Sequence, residues 1–156
     1  MTSRRTIVLS VALVSIALLA GLAPQAARSG TDEQIQARTL KVDPVHSSSL
    51  FRIKHNGVAW FYGRFNEMSG TVRYAEGGDD LQVDLSIPVE SVDTGAADRD
   101  RHLKSPDFFN AREFPEITFK TKSSSKVSDN VYEVTGDLTI HGVTKPVTAK
   151  VEATGC

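Results

Sequence analysis

From Leu40 onward the apolar residues of this chain recur at every second position, and that period constrains its fold more than any other feature. Leu81, Val83, Leu85 and Ile87 alternate with Gln82, Asp84 and Ser86, and Pro88, which has no N–H for a ladder, closes the run. Phe51 and Ile53 oppose Arg52 and Lys54. Val72 and Tyr74 oppose Thr71 and Arg73, and the turn-forming Glu76-Gly77-Gly78-Asp79 follows. Ile117 and Phe119 alternate with Thr118 and Lys120. Tyr132, Val134, Leu138 and Ile140 keep phase against Glu133, Thr135, Asp137 and Thr139, as Val147, Ala149, Val151 and Ala153 do against Thr148, Lys150 and Glu152. Successive side chains of a strand leave opposite faces, so each run has one face to bury and one to wet. Short half-buried strands at regular spacing predict an all-β fold, an antiparallel sandwich or barrel.

Two segments break the period. Residues 96–112 (AADRDRHLKSPDFFNAR) carry no alternation and predict a short helical excursion, with Asp98 as its cap, Leu103 docking inward and Pro106 ending or restarting it. Phe108 and Phe109 follow, so the excursion carries bulky apolar groups to the sheet and is expected to lid something. The stretch Val58–Phe65 concentrates Trp60, Phe61, Tyr62 and Phe65, with Gly57 before it and Gly63 within it, and with a spacing that is neither clean strand nor clean helix.

The N-terminus reads as a targeting segment. Arg4 and Arg5 precede an unbroken apolar and small run over residues 7–23, and the first acidic residue is Asp32. This is the layout of an export signal, expected over residues 1–27 with cleavage between Ala23 and Arg28. An uncleaved anchor is the alternative, because the run sits at the lower limit for a bilayer span. Residues 28–38 are polar and read as a tether, leaving 39–156 as the folded domain. The implied location is periplasmic or secreted.

Composition narrows the chemistry. Lys plus Arg number 18 against 19 Asp plus Glu, so the basic excess expected of a nucleic-acid binder is missing. The single Cys, Cys156, forms no internal disulfide and no thiolate metal cluster. His46, His55, His102 and His141 include no close pair, so a metal centre would have to be assembled from distant strands. Arg99-Asp100-Arg101-His102 is the densest polar cluster. Asp100 and His102 lie two apart and share no helix face. With His46 they read as a structural polar set that fixes the excursion, a headgroup or metal site being the alternative. Ser47, Ser48 and Ser49 stand beside His46, but no Gly-x-Ser-x-Gly elbow, acidic orienter or oxyanion donor can be named, and no residue is assigned a catalytic role.

Four ordered blocks carry a resemblance. Asp43-Pro44-Val45-His46-Ser47 with Phe51-Arg52-Ile53-Lys54-His55 is the first, and Gly63-Arg64-Phe65 with Gly70 the second. The third runs from Ser91-Val92-Asp93-Thr94-Gly95 through Arg99-Asp100-Arg101-His102-Leu103 and Asp107-Phe108-Phe109 to Phe114-Pro115-Glu116-Ile117-Thr118-Phe119. The fourth is Gly136-Asp137-Leu138-Thr139-Ile140-His141-Gly142-Val143-Thr144 with Lys145-Pro146-Val147. Together they resemble the YceI-like family. The resemblance implies an extended antiparallel β-barrel of lipocalin-like shape that holds a long isoprenoid or related lipid, in an exported or periplasmic setting. The family domain usually continues past the Gly-Val-Thr-Lys-Pro strand, so this chain is expected to lack C-terminal strands and to form an incomplete or open barrel.

On that reading Phe51, Ile53, Leu85, Ile87, Phe119, Leu138 and Ile140 line the interior, and Trp60, Phe61, Phe65, Leu103 and Phe108 gate it. The expected ligand is an isoprenoid-type or quinone-like lipid, with no other cofactor, no metal and no nucleic acid. Membrane contact is expected only during export or through an uncleaved anchor. A cavity mouth or an open strand edge could pair two copies into a homodimer. Two rival readings stay open. One is a metal-dependent or hydrolytic enzyme using His46, Asp100 and His102. The other is a filled barrel that binds a partner at an exposed edge.

Overall fold

The computed structural model describes residues 37–75 and 80–154. The predicted export segment, the tether up to residue 36, the Glu76–Asp79 turn and Cys156 lie outside the described residues.

The period-two runs form antiparallel strands, and all of them but the Phe51/Ile53 run join one sheet in aligned register. The strands are β1 (Ala37–Lys41), β2 (Ser49–His55), β3 (Ala59–Phe65), β4 (Ser69–Ala75), β5 (Leu81–Pro88), β6 (Val92–Asp93), β7 (Glu116–Ser128), β8 (Val131–Ile140) and β9 (Val143–Glu152). An α-helix, α1 (Ala97–Lys104), falls between β6 and β7. Strand β1 opens at Ala37, so its first two residues belong to the stretch read as a tether.

Six strands form one sheet in the order β1-β4-β5-β7-β8-β9. Leu40 stands opposite Val72 and Val72 opposite Val83. Leu85 meets Phe119, and Phe119 meets Leu138. Val134 meets Ala149, and Tyr132 meets Val151. A one-residue slip in any pair would turn a strand's apolar set outward, so the shared apolar face holds the register. Three strands form a second sheet, β2-β3-β6. The larger sheet ends in β1 and β9 and the smaller in β2 and β6, so among the described residues the barrel is open.

Strand β7 departs from a regular ladder. Its register against β8 shifts between Thr121 and Ser123 and again between Lys126 and Ser128, and such an extra residue bends the bulged strand. Pairing with β5 covers only Glu116–Lys120. Beyond it, side chains serve the β5 backbone. The Thr121 hydroxyl accepts from the Val83 N–H and donates to the Val83 carbonyl, both at 2.8 Å. Ser124 Oγ accepts from the Leu81 N–H at 2.7 Å.

The aromatic stretch from Val58 is a strand. Asn56 and Gly57 adopt φ of +48° and +71°, and Val58 N donates to the His55 carbonyl at 3.0 Å. Left-handed φ at two successive residues is what a tight hairpin turn needs, and Asn-Gly supplies it at least cost. Both faces of β3 carry large side chains, so its hydrophobicity shows no period of two.

Helix α1 lies inside the predicted excursion, but its cap differs. Ala96 is the N-cap and makes no side-chain bond, while Asp98 sits in the first turn and pairs with Arg101 at 2.7 Å. The carboxylate that fixes the helix entry is Asp100, which accepts from the Thr94 N–H at 2.9 Å. At the far end the Ser105 N–H bonds the His102 carbonyl just before Pro106.

Candidate functional site

The inner face of the larger sheet has two ends with different fillings. At one end Phe65, Val89, Val92, Ala111 and Ile117 are buried, and Phe51, Ile87, Leu103, Phe109, Leu138 and Ile140 pack around them. The Phe65 ring meets Phe51 at 5.5 Å and the edge of Phe109 at 5.8 Å, an arrangement favoured by aromatic quadrupoles. This end is a plug made by the root of the β2–β3 hairpin and the chain around α1.

At the other end Leu81, Val83, Tyr132 and Val134 are buried, with Val72, Tyr74, Leu85, Phe119 and Val151 half-buried around them. This apolar floor is not covered throughout. A groove of about 610 Å³ opens over it, walled by Leu40, Val72, Tyr74, Leu81, Tyr132 and Val151, with Arg38, Lys126, Asp129 and Glu152 adding charge. The volume lies in the range of small-molecule sites. Its walls come from both edge strands, β1 and β9, so the sheet curls until its two ends border one hollow.

The residues assigned from sequence to the lining divide three ways. Phe51, Phe65, Ile87, Leu103, Leu138 and Ile140 belong to the plug. Leu85 and Phe119 belong to the second floor and also border a shallower hollow of about 320 Å³. Ile53, Trp60, Phe61 and Phe108 are exposed. Not one of these residues walls the larger groove. Trp60 and Phe61 are consecutive in β3 and so leave opposite faces. Phe61 shares the inward face of Phe51 and lies under the Arg99 guanidinium at 5.2 Å. Trp60 faces out, with Arg52 at 4.6 Å and Lys54 at 6.0 Å from its ring.

The groove walls Val72, Tyr74, Leu81, Tyr132 and Val151 all stand in the period-two runs. That pattern tells which face each takes, not which end is plugged. A usable signal was their position at strand ends remote from the 96–112 excursion.

The polar candidates have separate partners. Arg99 donates from Nε to Thr94 Oγ1 and from Nη2 to the Thr94 carbonyl, each at 2.7 Å, while Asp100 accepts from the Thr94 N–H and hydroxyl. These two residues therefore fasten α1 to the segment before it. His102 Nε2 lies 3.6 Å from Asp107, and its ring meets the Phe108 ring at 4.8 Å. His46 Nδ1 lies 2.7 Å from Asp43 Oδ2. That bond, with the Val45 N–H, holds the Asp43 carboxyl below its ordinary pKa. His141 has φ +52° in the β8–β9 turn, against the Phe114 ring. Among the described residues no group of three or more His, Cys, Asp or Glu gathers as a metal would need.

Asp93 is a further polar node, which the sequence reading named only within the 91–95 block and gave no role of its own. It accepts from the Gly95 N–H at 2.9 Å, from the Asn66 amide at 3.3 Å and from Arg64 at 3.4 Å. Its pKa is lowered, first by the Gly95 bond and then by Asn66.

Comparison with known proteins places these features among relatives. A family model for the YceI-like domain matches residues 40–156. Protein YceI of Escherichia coli O17:K52:H18 (strain UMN026) is 42% identical over 111 residues, which cover 70% of this chain and 58% of that protein. The chain thus spans less than two thirds of that relative's length. A UPF0312 protein of Pseudomonas aeruginosa (strain LESB58) is 41% identical over 128 residues, covering 80% of this chain and 66% of that protein. The solved structure of a Campylobacter jejuni YCEI protein aligns with a TM-score of 0.60 at 32% identity, covering 73% of this chain and 67% of that one.

Proposed function

The chain belongs to the YceI-like domain family, and from that premise we propose that it holds the apolar chain of a long isoprenoid-type lipid against the inner face of its larger sheet, without chemistry. The observation that carries this reading is the open groove of about 610 Å³ lying directly over the second apolar floor. Removing hydrocarbon from water is worth about 0.8 kcal/mol per CH₂, so each five-carbon prenyl unit contributes roughly 4 kcal/mol of driving force. The plug at Phe65 gives the site a direction. The tail runs inward past Leu81 and Val83 towards Leu85 and Phe119, and the headgroup stays at the mouth near Lys126 and Asp129. Quinone-like tails suit the same surface. Binding of this kind needs shape and apolar area rather than a reacting group. The apolar run at residues 7–23 supports an exported carrier or reservoir, working in the periplasm or outside the cell.

The test is organic extraction of the purified chain followed by mass spectrometry, with thermal melts in added polyprenol. A long-chain lipid in the extract is expected, together with a melting temperature that rises with ligand. A ligand at a hundred times its Kd stabilises by about 2.7 kcal/mol. Val151→Lys, which puts a cation in the groove wall, is expected to abolish the rise. Well-folded, lipid-free protein that gains nothing from polyprenols overturns the reading. Stoichiometric metal retained after mild purification would support instead the enzyme reading that uses His46, Asp100 and His102.

A further inference from the structure

The outer face of the β2–β3 hairpin is basic and aromatic. Residues 44–66 contain Arg52, Lys54 and Arg64 and not one Asp or Glu, in a protein whose formal net charge is −1. The cross-strand register puts Leu50 opposite Arg64, Arg52 opposite Tyr62 and Lys54 opposite Trp60. With Phe51 and Phe65 turned to the core, these six side chains share the outward face. Tyr62 is 64% exposed, Leu50 78%, and Val58 at the hairpin tip 86%. Arg52 and Lys54 lie over the Trp60 ring. Arg64 pairs with Asp93 at 3.4 Å, its register partner in β6 at the root end of the same face, so Arg52 and Lys54 carry the positive charge this face offers.

Tyr and Trp, with an apolar body and a polar edge, favour the headgroup layer of a bilayer, and Lys and Arg anchor beside phosphates there. Aliphatic side chains, Val58 at the tip and Leu50 at the root end of the same face, add the apolar contact that holds a surface element at the acyl boundary. We propose that this face docks the protein on anionic phospholipid bilayers. Arg52 and Lys54 meet headgroup phosphates, Trp60 and Tyr62 lie at headgroup depth, and Leu50 and Val58 reach the acyl boundary. Single-stranded nucleic acid also takes cations interleaved with aromatics, but Leu50 and Val58 stack on no base. The inference goes beyond lipid binding in the groove and requires nothing of it.

Trp60 is the sole tryptophan, so its emission reports this face directly. The full chain is titrated with vesicles of phosphatidylglycerol and phosphatidylethanolamine, and separately with phosphatidylcholine. The apolar run at residues 7–23 could carry the chain to either vesicle, so sedimentation does not discriminate and the Trp60 signal does. Expected with anionic vesicles are a blue shift of Trp60, quenching by bromine-labelled acyl chains, and reversal by high salt. The double variant R52E/K54E is expected to weaken the response at least about tenfold, since each surface cation favours anionic lipid by about one kcal/mol. K145E/K150E makes the same charge change on β9 and is expected to leave the response intact.

Four results overturn the proposal: an unchanged Trp60 spectrum with anionic vesicles, an equal response to phosphatidylcholine, equal loss in K145E/K150E, or a stronger Trp60 response to an oligothymidylate than to anionic vesicles. Circular dichroism of R52E/K54E checks that it folds. Lipid extraction from that variant reads the groove separately, so failure at one surface is distinguishable from failure at the other.

Discussion

The larger sheet and the β2–β3 hairpin are both rich in apolar side chains, yet they treat them oppositely. In β5 and β8, Leu81, Val83, Tyr132 and Val134 are buried, Val134 completely. In the hairpin Phe65 alone is buried, while Ile53, Trp60, Phe61 and Tyr62 are exposed. The cause is the number of neighbours rather than hydrophobicity. Strand β5 lies between β4 and β7, and β8 between β7 and β9. Among the described residues the only strand on the outer side of β3 is β6, which reaches just Arg64 and Phe65. Burial therefore follows pairing, and the hairpin stays packed only at its root. What stabilises the fold and what the molecule offers to apolar partners are carried by different strands.

The sharpest way to break this contrast uses two phenylalanines on one face of one strand. Phe65→Ala empties the centre of the plug, where it meets Phe51 and Phe109, and is expected to cost about 3–5 kcal/mol in denaturant unfolding. Phe61→Ala removes a ring that is 41% exposed under Arg99, and should cost under about 1 kcal/mol. Equal losses would mean that the outer hairpin is as much a part of the core as its root.

A second pair compares glycines. Gly136 in β8 is buried, and a Cβ there would meet the Lys120 carbonyl oxygen at 2.5 Å and the Phe119 ring at 2.6 Å. Because Lys120 is backbone and Phe119 is itself packed, Gly136→Ala should cost about 1–3 kcal/mol by overpacking. Gly57 at the hairpin tip has no atom near its Cβ position but a φ of +71°. There Gly57→Ala should cost about 1 kcal/mol from backbone strain alone, and Gly57→Asn should recover most of it, because Asn tolerates the left-handed region. Failure of Asn to outperform Ala would sink the conformational explanation.

The same contrast explains what could be read from the amino-acid order. Strands β5, β7, β8 and β9 are legible because a sheet with one packed face must alternate. Strand β3 is not, since Trp60 and Tyr62 face out while Phe61 and Phe65 face in, and both faces are aromatic. Its local signal is the Asn56-Gly57 pair, which makes the turn whatever follows it. The helix was legible as an interruption, but not its cap, because the helix starts at Ala97 with Ala96 as N-cap and Asp98 already lies in its first turn. The groove was the least legible part. Leu40 in β1 and Val151 in β9 lie at opposite edges of the sheet order and more than a hundred positions apart. Only the curl of the whole sheet brings them to one hollow, and no local pattern encodes curl.

The smallest expected effect lies where the two regions join. Asp93 ties the hairpin root together through Gly95, Asn66 and Arg64, and its folded pKa is below the ordinary value of 3.8, the Gly95 N–H being the largest cause. A carboxyl with a depressed folded pKa contributes stability that is complete above its unfolded pKa and drains away as pH falls through the folded one. Asp93→Asn should therefore melt below the parent at pH 7, and the gap should narrow progressively once the pH drops under about 4, near the carboxyl's ordinary pKa. Other carboxylates titrate in the same window, Asp43 among them, so the informative quantity is the difference between the two proteins. Because a backbone hydrogen bond outranks the Arg64 charge among the causes, added salt should shrink that difference only slightly. A gap that stays constant from pH 7 to pH 3 would assign the loss to geometry instead of charge, and a gap erased by salt would move the main role from Gly95 to Arg64.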